Sequence, residues 1–187
     1  MEIEKKNSFI EFVKNYAMYL VVGVVIFAVA LTFTIVAAVN NSVPANTGVL
    51  EFALPMQNAT IVKDFSDSEL QNNETLNQWE AHLAVDLTSE SGDVFAILDG
   101  EVVDVSYSFL NGYTITLEHS SGFVSIYSSL SENVEVEKGD KVEAGQKIAS
   151  VSDSASGELE LGSHLHLCMK LNNAFVDPND YLNLQQK

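Results

Sequence analysis

The 187 residues contain no arginine. All nine basic residues are lysine, set against 26 Asp and Glu, for a net charge of −17. Three of the lysines (Lys5, Lys6, Lys14) lie near the N-terminus beside Glu2, Glu4 and Glu11, so the remainder of the chain carries the whole excess. Phosphate backbones are bound by basic faces, and this composition supplies none, which excludes nucleic acid as a partner. Such a surface is read as one kept soluble by charge, and it disfavours tight electrostatic contact with an anionic cell wall. Cysteine is nearly absent too. Cys168 stands alone, so no intramolecular disulfide can form and cysteine usage does not reveal the redox compartment. Internal repeats and low-complexity blocks are missing, and no long amphipathic helix appears after residue 90.

Charge is also missing from Tyr16 to Val39. As a helix that segment would be roughly 36 Å long, enough to cross a hydrocarbon core of about 30 Å with some tilt. The expected layout is a cytoplasmic tail (1–15), a transmembrane helix (16–39), a linker rich in Asn, Pro and Gly (40–50) and one domain (51–184). Lysines precede the span and none follows until Lys63, which puts the N-terminus in the cytoplasm and the domain outside the cell membrane. A cleavable signal peptide is the alternative, with Val36-Ala37-Ala38 as its cleavage site; its apolar region is normally only about 7–15 residues.

The outer part reads as mainly β. Leu83, Val85 and Leu87 alternate with His82, Ala84 and Asp86, a period-2 strand pattern. Further strand-like runs follow at 94–98, 101–106, 113–118, 123–127 and 164–171. Gly-containing turns at Asp99-Gly100, Asn111-Gly112, Ser121-Gly122, Lys138-Gly139-Asp140 and Ala144-Gly145 separate the runs, which predicts an antiparallel sheet. The polar stretch Ser66–Glu80 is expected to be a loop with a short helix.

Three of the four histidines fall in suggestive patterns. In His164-Leu165-His166 the two imidazoles share one strand face, about 6.5–7 Å apart at Cα. That suits one metal ligand beside one general base, although His-x-His alone is more often structural than functional. His82-x-x-x-Asp86 pairs an imidazole with a carboxylate, and a distant imidazole would complete a three-ligand zinc set of catalytic type. A straight strand would hold His82 and Asp86 about 13 Å apart, so the backbone between them must bend. Cys168 shares the His164/His166 face and is within reach of such a site; the plainer reading is a small buried apolar side chain.

Several motifs then occur in one order: His82-Leu83-Ala84-Val85-Asp86, Asp99-Gly100, Tyr127-Ser128-Ser129-Leu130, Gly139-Asp140-Lys141-Val142-Glu143-Ala144-Gly145-Gln146 and His164-Leu165-His166. With the closing Asn173–Pro178, this series resembles the lysostaphin/LytM family of zinc metallopeptidases. The resemblance covers roughly residues 52–182. It implies a LytM/peptidase-like fold, with His82, Asp86 and His166 as zinc ligands and His164 as general base or transition-state stabiliser. The implied activity is hydrolysis of peptidoglycan cross-bridges by a zinc-bound water.

The sequence departs from that family at three points. Ser129 stands where active members carry a second catalytic histidine, and one positioned acid–base group is typically worth about 10²–10⁴ in rate. Phe65-Ser66-Asp67 replaces the motif that supplies a further ligand, leaving Asp64 and Asp67 as candidates. Ala84 replaces a glycine where the geometry demands a bend. The departures and the anchored layout resemble the sporulation branch of the family. That branch implies a zinc-binding interaction module with a degenerate catalytic site, paired with a SpoIIIAH-like protein across an intermembrane space. An active endopeptidase and an activator of another wall hydrolase are the alternatives, and zinc serving structure alone is a further one.

Overall fold

The computed structural model describes residues 14–19, 21–22, 25–28 and 50–184. Residues 14–19, 21–22 and 25–28 are helical, and among the described residues no helix is long and apolar enough to cross a membrane. Most of the expected tail, the rest of the expected span and nearly all of the linker lie outside the described residues. The chain divides into two units, Met1–Gly48 and Val49–Lys187.

Twelve strands make up the second unit: β1 Thr60–Lys63, β2 Ser66–Asn73, β3 Gln78–His82, β4 Val85–Thr88, β5 Asp93–Phe95, β6 Gly100–Ser108, β7 Gly112–His119, β8 Phe123–Leu130, β9 Lys141–Val142, β10 Lys147–Ser150, β11 Leu165–Leu171 and β12 Ala174–Val176. The main sheet has eight strands in the order β1-β4-β11-β8-β7-β6-β9, with β12 added beside β11. Two two-stranded sheets, β2-β3 and β10-β5, complete the fold. Every ladder is antiparallel, as the closely spaced strands and Gly turns predict.

Period-2 patterning explains the core. In β11, Leu165, Leu167 and Met169 are buried on one face, while His166, Cys168 and Lys170 occupy the other. Val85 and Leu87 from β4, Ile115 and Leu117 from β7, and Tyr127 and Leu130 from β8 pack with them. The Tyr127 hydroxyl accepts the Ile97 amide at 3.0 Å and the Ser125 hydroxyl at 3.1 Å, and Ser125 in turn meets His119 Nε2 at 2.7 Å. Burial pushes the Tyr127 hydroxyl up to about 12, so it stays a neutral donor and acceptor in the core.

Two expectations are corrected. Ser66–Glu80 is a β-hairpin, β2-β3, rather than a loop with a helix. Its strands are largely exposed on both faces, with Leu70 and Trp79 among the exposed residues, so no regular alternation announces them. Asn77 makes the turn with a left-handed φ of 50°. The strand expected from Leu83 begins only at Val85: the chain leaves the small hairpin sheet at His82 and enters the main sheet at Val85, after the two intervening residues Leu83 and Ala84.

Candidate metal centre

That change of sheet is the bend the His82/Asp86 spacing requires. Leu83 and Ala84 carry the chain from β3 to β4, and His82 Nε2 lies 3.2 Å from Asp86 Oδ2. Ala84 is buried and has no left-handed φ, so the turn needs no glycine.

Register supplies the second convergence. Asp86 in β4 is paired with Lys63 of β1 on one side and with His166 of β11 on the other, and His166 faces Ser128 of β8. These four residues form a row across the sheet. A register irregularity in β1 between Ile61 and Lys63 brings Lys63 into that row. His166 Nδ1 donates to Asp86 Oδ1 at 2.8 Å.

The next contributor is one the sequence did not single out. Glu158 projects from the 3₁₀ segment Ser156–Leu161, at a backbone kink with φ −140° and ψ 34°. The segment is clamped from two sides. Asn73 Nδ2 donates to the Gly157 carbonyl at 3.1 Å and Thr75 Oγ1 accepts the Glu160 amide at 3.1 Å, while the Gly157 amide donates to the Leu110 carbonyl at 3.0 Å. One Glu158 oxygen lies 3.0 Å from His166 Nδ1 and 3.5 Å from His164 Nε2; the other accepts Lys63 Nζ at 3.1 Å and sits 3.8 Å from His82 Nε2.

His82, Asp86, Glu158 and His166 therefore offer four ligand atoms within 4.8 Å of one another. The donor set fits a zinc ion. Ligands about 2.0–2.1 Å from a tetrahedral ion stand roughly 3.3 Å from one another, which is the scale of the separations here. Among the described residues, three buried side-chain atoms lack a hydrogen-bond partner: His82 Nε2, Asp86 Oδ2 and His164 Nε2. The first two face each other without hydrogen-bond alignment, as two lone pairs aimed at a common cation would. His82 Nδ1 meets the Asp64 carbonyl at 2.8 Å, which assigns the proton to Nδ1 and leaves Nε2 free to ligate. His166 turns its other nitrogen, Nε2, to Cys168 Sγ at 3.7 Å. The thiol sits behind the His166 ring and is not among the four clustered groups.

Electrostatics point the same way. Burial pushes the Asp86 carboxyl up, but the hydrogen bond from His166 and the close approach of the His82 imidazole outweigh it and hold it below the usual carboxylate range. Burial acts likewise on Glu158, where contacts with His164, His166 and Lys63 hold the carboxyl far below its ordinary value. His166 is held well above the ordinary imidazole range: desolvation opposes this, and the Asp86 bond overcomes it. His164 is raised as well, against its burial, by Glu158 and by the Gly162 carbonyl, which its Nδ1 meets at 2.7 Å. Without a cation the two carboxylates depend on imidazolium and Lys63 for charge balance.

The remaining expected residues fall elsewhere. Ser129 is fully buried and has a φ of 61°. It belongs to a bulge in β8: Tyr113 pairs with Leu130 but Ile115 pairs with Tyr127, so β8 holds one extra residue there. Its hydroxyl donates to the Ser152 carbonyl at 3.0 Å. The Asp64 carboxylate accepts from the Phe65 amide and from Asn179 Nδ2, and Asp67 is exposed; neither joins the four-residue cluster. Asp64 contributes through its carbonyl, which orients His82. No spacing rule picks Glu158 out of a strongly acidic chain; only its Ser/Gly-rich loop beside the His-x-His strand marks the place.

A family model, Peptidase family M23, matches residues 80–178. The chain belongs to peptidase family M23. The LytM-type resemblance drawn from the motifs thus holds. This M23 chain is 28% identical over 156 residues to stage II sporulation protein Q of Bacillus subtilis (strain 168), covering 76% of the chain and 54% of that protein. The chain thus spans about half the length of its curated relative. Among solved structures, the SpoIIQ–SpoIIIAH pore-forming complex matches with 27% identity and a TM-score of 0.63, covering 72% of this chain and 92% of that one. A zinc-containing peptidase from Vibrio cholerae matches with 28% identity and a TM-score of 0.53, covering 67% and 36%.

Proposed function

We propose that this protein is a membrane-anchored, extracytoplasmic M23 domain that binds zinc without efficient hydrolysis and acts as an interaction component of a sporulation or envelope complex. The observation that carries this reading is Ser129. By the motif resemblance it stands where active members carry the second catalytic histidine, and its hydroxyl, committed to the Ser152 carbonyl, does not replace an imidazole as an acid–base group. His82, Asp86 and His166 would hold zinc, and zinc so bound polarises a carbonyl and acidifies a water. His164 keeps a free Nε2 but faces Glu158. The likeness to SpoIIQ, which is solved together with SpoIIIAH, supports a SpoIIIAH-like partner in an opposing membrane. The uncharged 16–39 segment supports the anchor.

The test uses the purified full-length chain in detergent. With zinc present it should release no soluble fragments from peptidoglycan, and it should bind the outer domain of a SpoIIIAH homologue. Clear cleavage that is lost in His164→Ala would overturn the reading. It would favour the second one, a working zinc endopeptidase on peptidoglycan, which the joint presence of His82, Asp86, His164 and His166 motivates.

A further inference from the structure

The four-residue cluster differs from an open hydrolytic centre in one respect. Catalytic zinc sites keep three protein ligands and leave the fourth position to water or substrate, whereas structural sites are closed by four protein ligands. Here a fourth protein group, Glu158, already stands within ligand distance of the other three. We propose that Glu158 is the fourth protein ligand of a closed, four-coordinate divalent-metal site with His82, Asp86 and His166. The metal then clasps the β3–β4 junction, β11 and the 156–161 segment together, and no coordination position is left for a reactive water. This deepens, and rests on, the reading of the cluster as a metal site in a non-hydrolytic domain.

Four independent features support the assignment. Glu158 is held in place rather than free to swing: Lys63 grips one oxygen, and the backbone on both sides of Glu158 is tied to Leu110, Asn73 and Thr75. The unpartnered Nε2 of His82 and Oδ2 of Asp86 belong to side chains at least nine-tenths buried and face the same space as Glu158. The two carboxylates, Asp86 buried and Glu158 partly so, carry charge opposite to that of a metal cation, which offsets the cost of placing them beside each other. Finally, Glu158 lies within 3.5 Å of His164 Nε2, filling the place where a water would have to sit to be acted on by that base.

Cobalt(II) in place of zinc tests this with the full-length chain, because its visible absorption reports coordination number and geometry. The wild type should bind one cobalt with the intense bands of a four-coordinate site, unchanged by added thiocyanate, since no position is open. Glu158→Gln should bind cobalt at least tenfold more weakly, and thiocyanate should now shift its spectrum. Glu160→Gln, two residues away on the exposed side, should behave as wild type. A wild-type spectrum that itself shifts with thiocyanate removes Glu158 from the coordination sphere, and that result does not depend on any variant folding. A wild-type chain that takes up no cobalt overturns the metal reading as a whole. Peptidoglycan cleavage with a thiocyanate-insensitive wild-type site would instead overturn only the non-hydrolytic reading.

Discussion

His82 Nε2 stands 3.2 Å from Asp86 Oδ2, although a straight strand would separate the two residues by about 13 Å. A change of sheet between them closes that distance. A cation there would therefore tie the small β2-β3 hairpin to the main sheet. A metal held at about 100 times its dissociation constant adds about 2.7 kcal/mol. For a domain of this size that corresponds to roughly 10 °C in melting temperature. Zinc should produce a rise of that order in the chelator-treated chain. His82→Ala and His166→Ala should abolish it. Calorimetry in zinc and in chelator decides the matter, and equal transitions in both would rule out the clasp.

The pH dependence of the metal-free chain follows from the signs of the shifts. Asp86 and Glu158 are depressed, so their contribution is present above about pH 4–4.5 and is lost as pH falls below it. His166 and His164 are raised, so theirs is fully present below about pH 6.5 and is lost as pH rises through their higher folded values. Thermal stability without metal should peak between about pH 4.5 and 6.5. Metal displaces those protons, so the stabilisation by zinc should grow from pH 6 to pH 8. A metal-free profile flat from pH 5 to pH 8 would contradict the assigned contacts.

Restoring the missing imidazole should not by itself restore hydrolysis. Ser129 has a left-handed φ of 61°, a region in which His is among the better tolerated residues, so Ser129→His should fold. With Glu158 still in the cluster, cleavage of peptidoglycan should stay within about tenfold of background. Adding Glu158→Ala should raise it above the single variant by up to about 10²-fold, the lower end of what one acid–base group supplies. Chromatography of released muropeptides measures both. Full activity from Ser129→His alone would show that Glu158 does not close the site.

In the core, Tyr127→Phe removes the acceptor for the Ile97 amide. A buried donor left unpaired costs about 1–3 kcal/mol. Urea unfolding should report a loss of that size with the metal stoichiometry unchanged, because Tyr127 lies on the core face of β8.

How far the sequence disclosed this fold depended on alternation. β7, β8 and β11 alternate mostly apolar residues along their core faces, interrupted by His119 in β7 and Ser125 in β8, and they lie close to the expected runs. β2 reads SDSELQNN, with no apolar period, because both of its faces are largely solvated; only pairing with β3 makes it a strand. At the centre, motif order makes His82, Asp86 and His166 legible as one set, and the spacing of the first two requires a bend. Its route is not legible, because the alternation places Leu83 in a strand and Ala84 lacks the freedom of glycine. Glu158 was invisible for a different reason. Its position comes from contacts with residues 63, 73, 75 and 110, which are remote in sequence, and not from any local pattern.

The strand order has a consequence for biogenesis. β11 lies between β4 and β8, yet it is the last long strand to be synthesised. A nascent chain emerging N-terminus first must therefore keep two hydrogen-bonding edges open until residues 165–171 arrive. Such edges are the usual templates for aggregation, and pairings distant in sequence form slowly. Chaperones that shield the emerging polypeptide would matter most in that interval, and a ribosome stalled just short of His164 should yield a product that never matures.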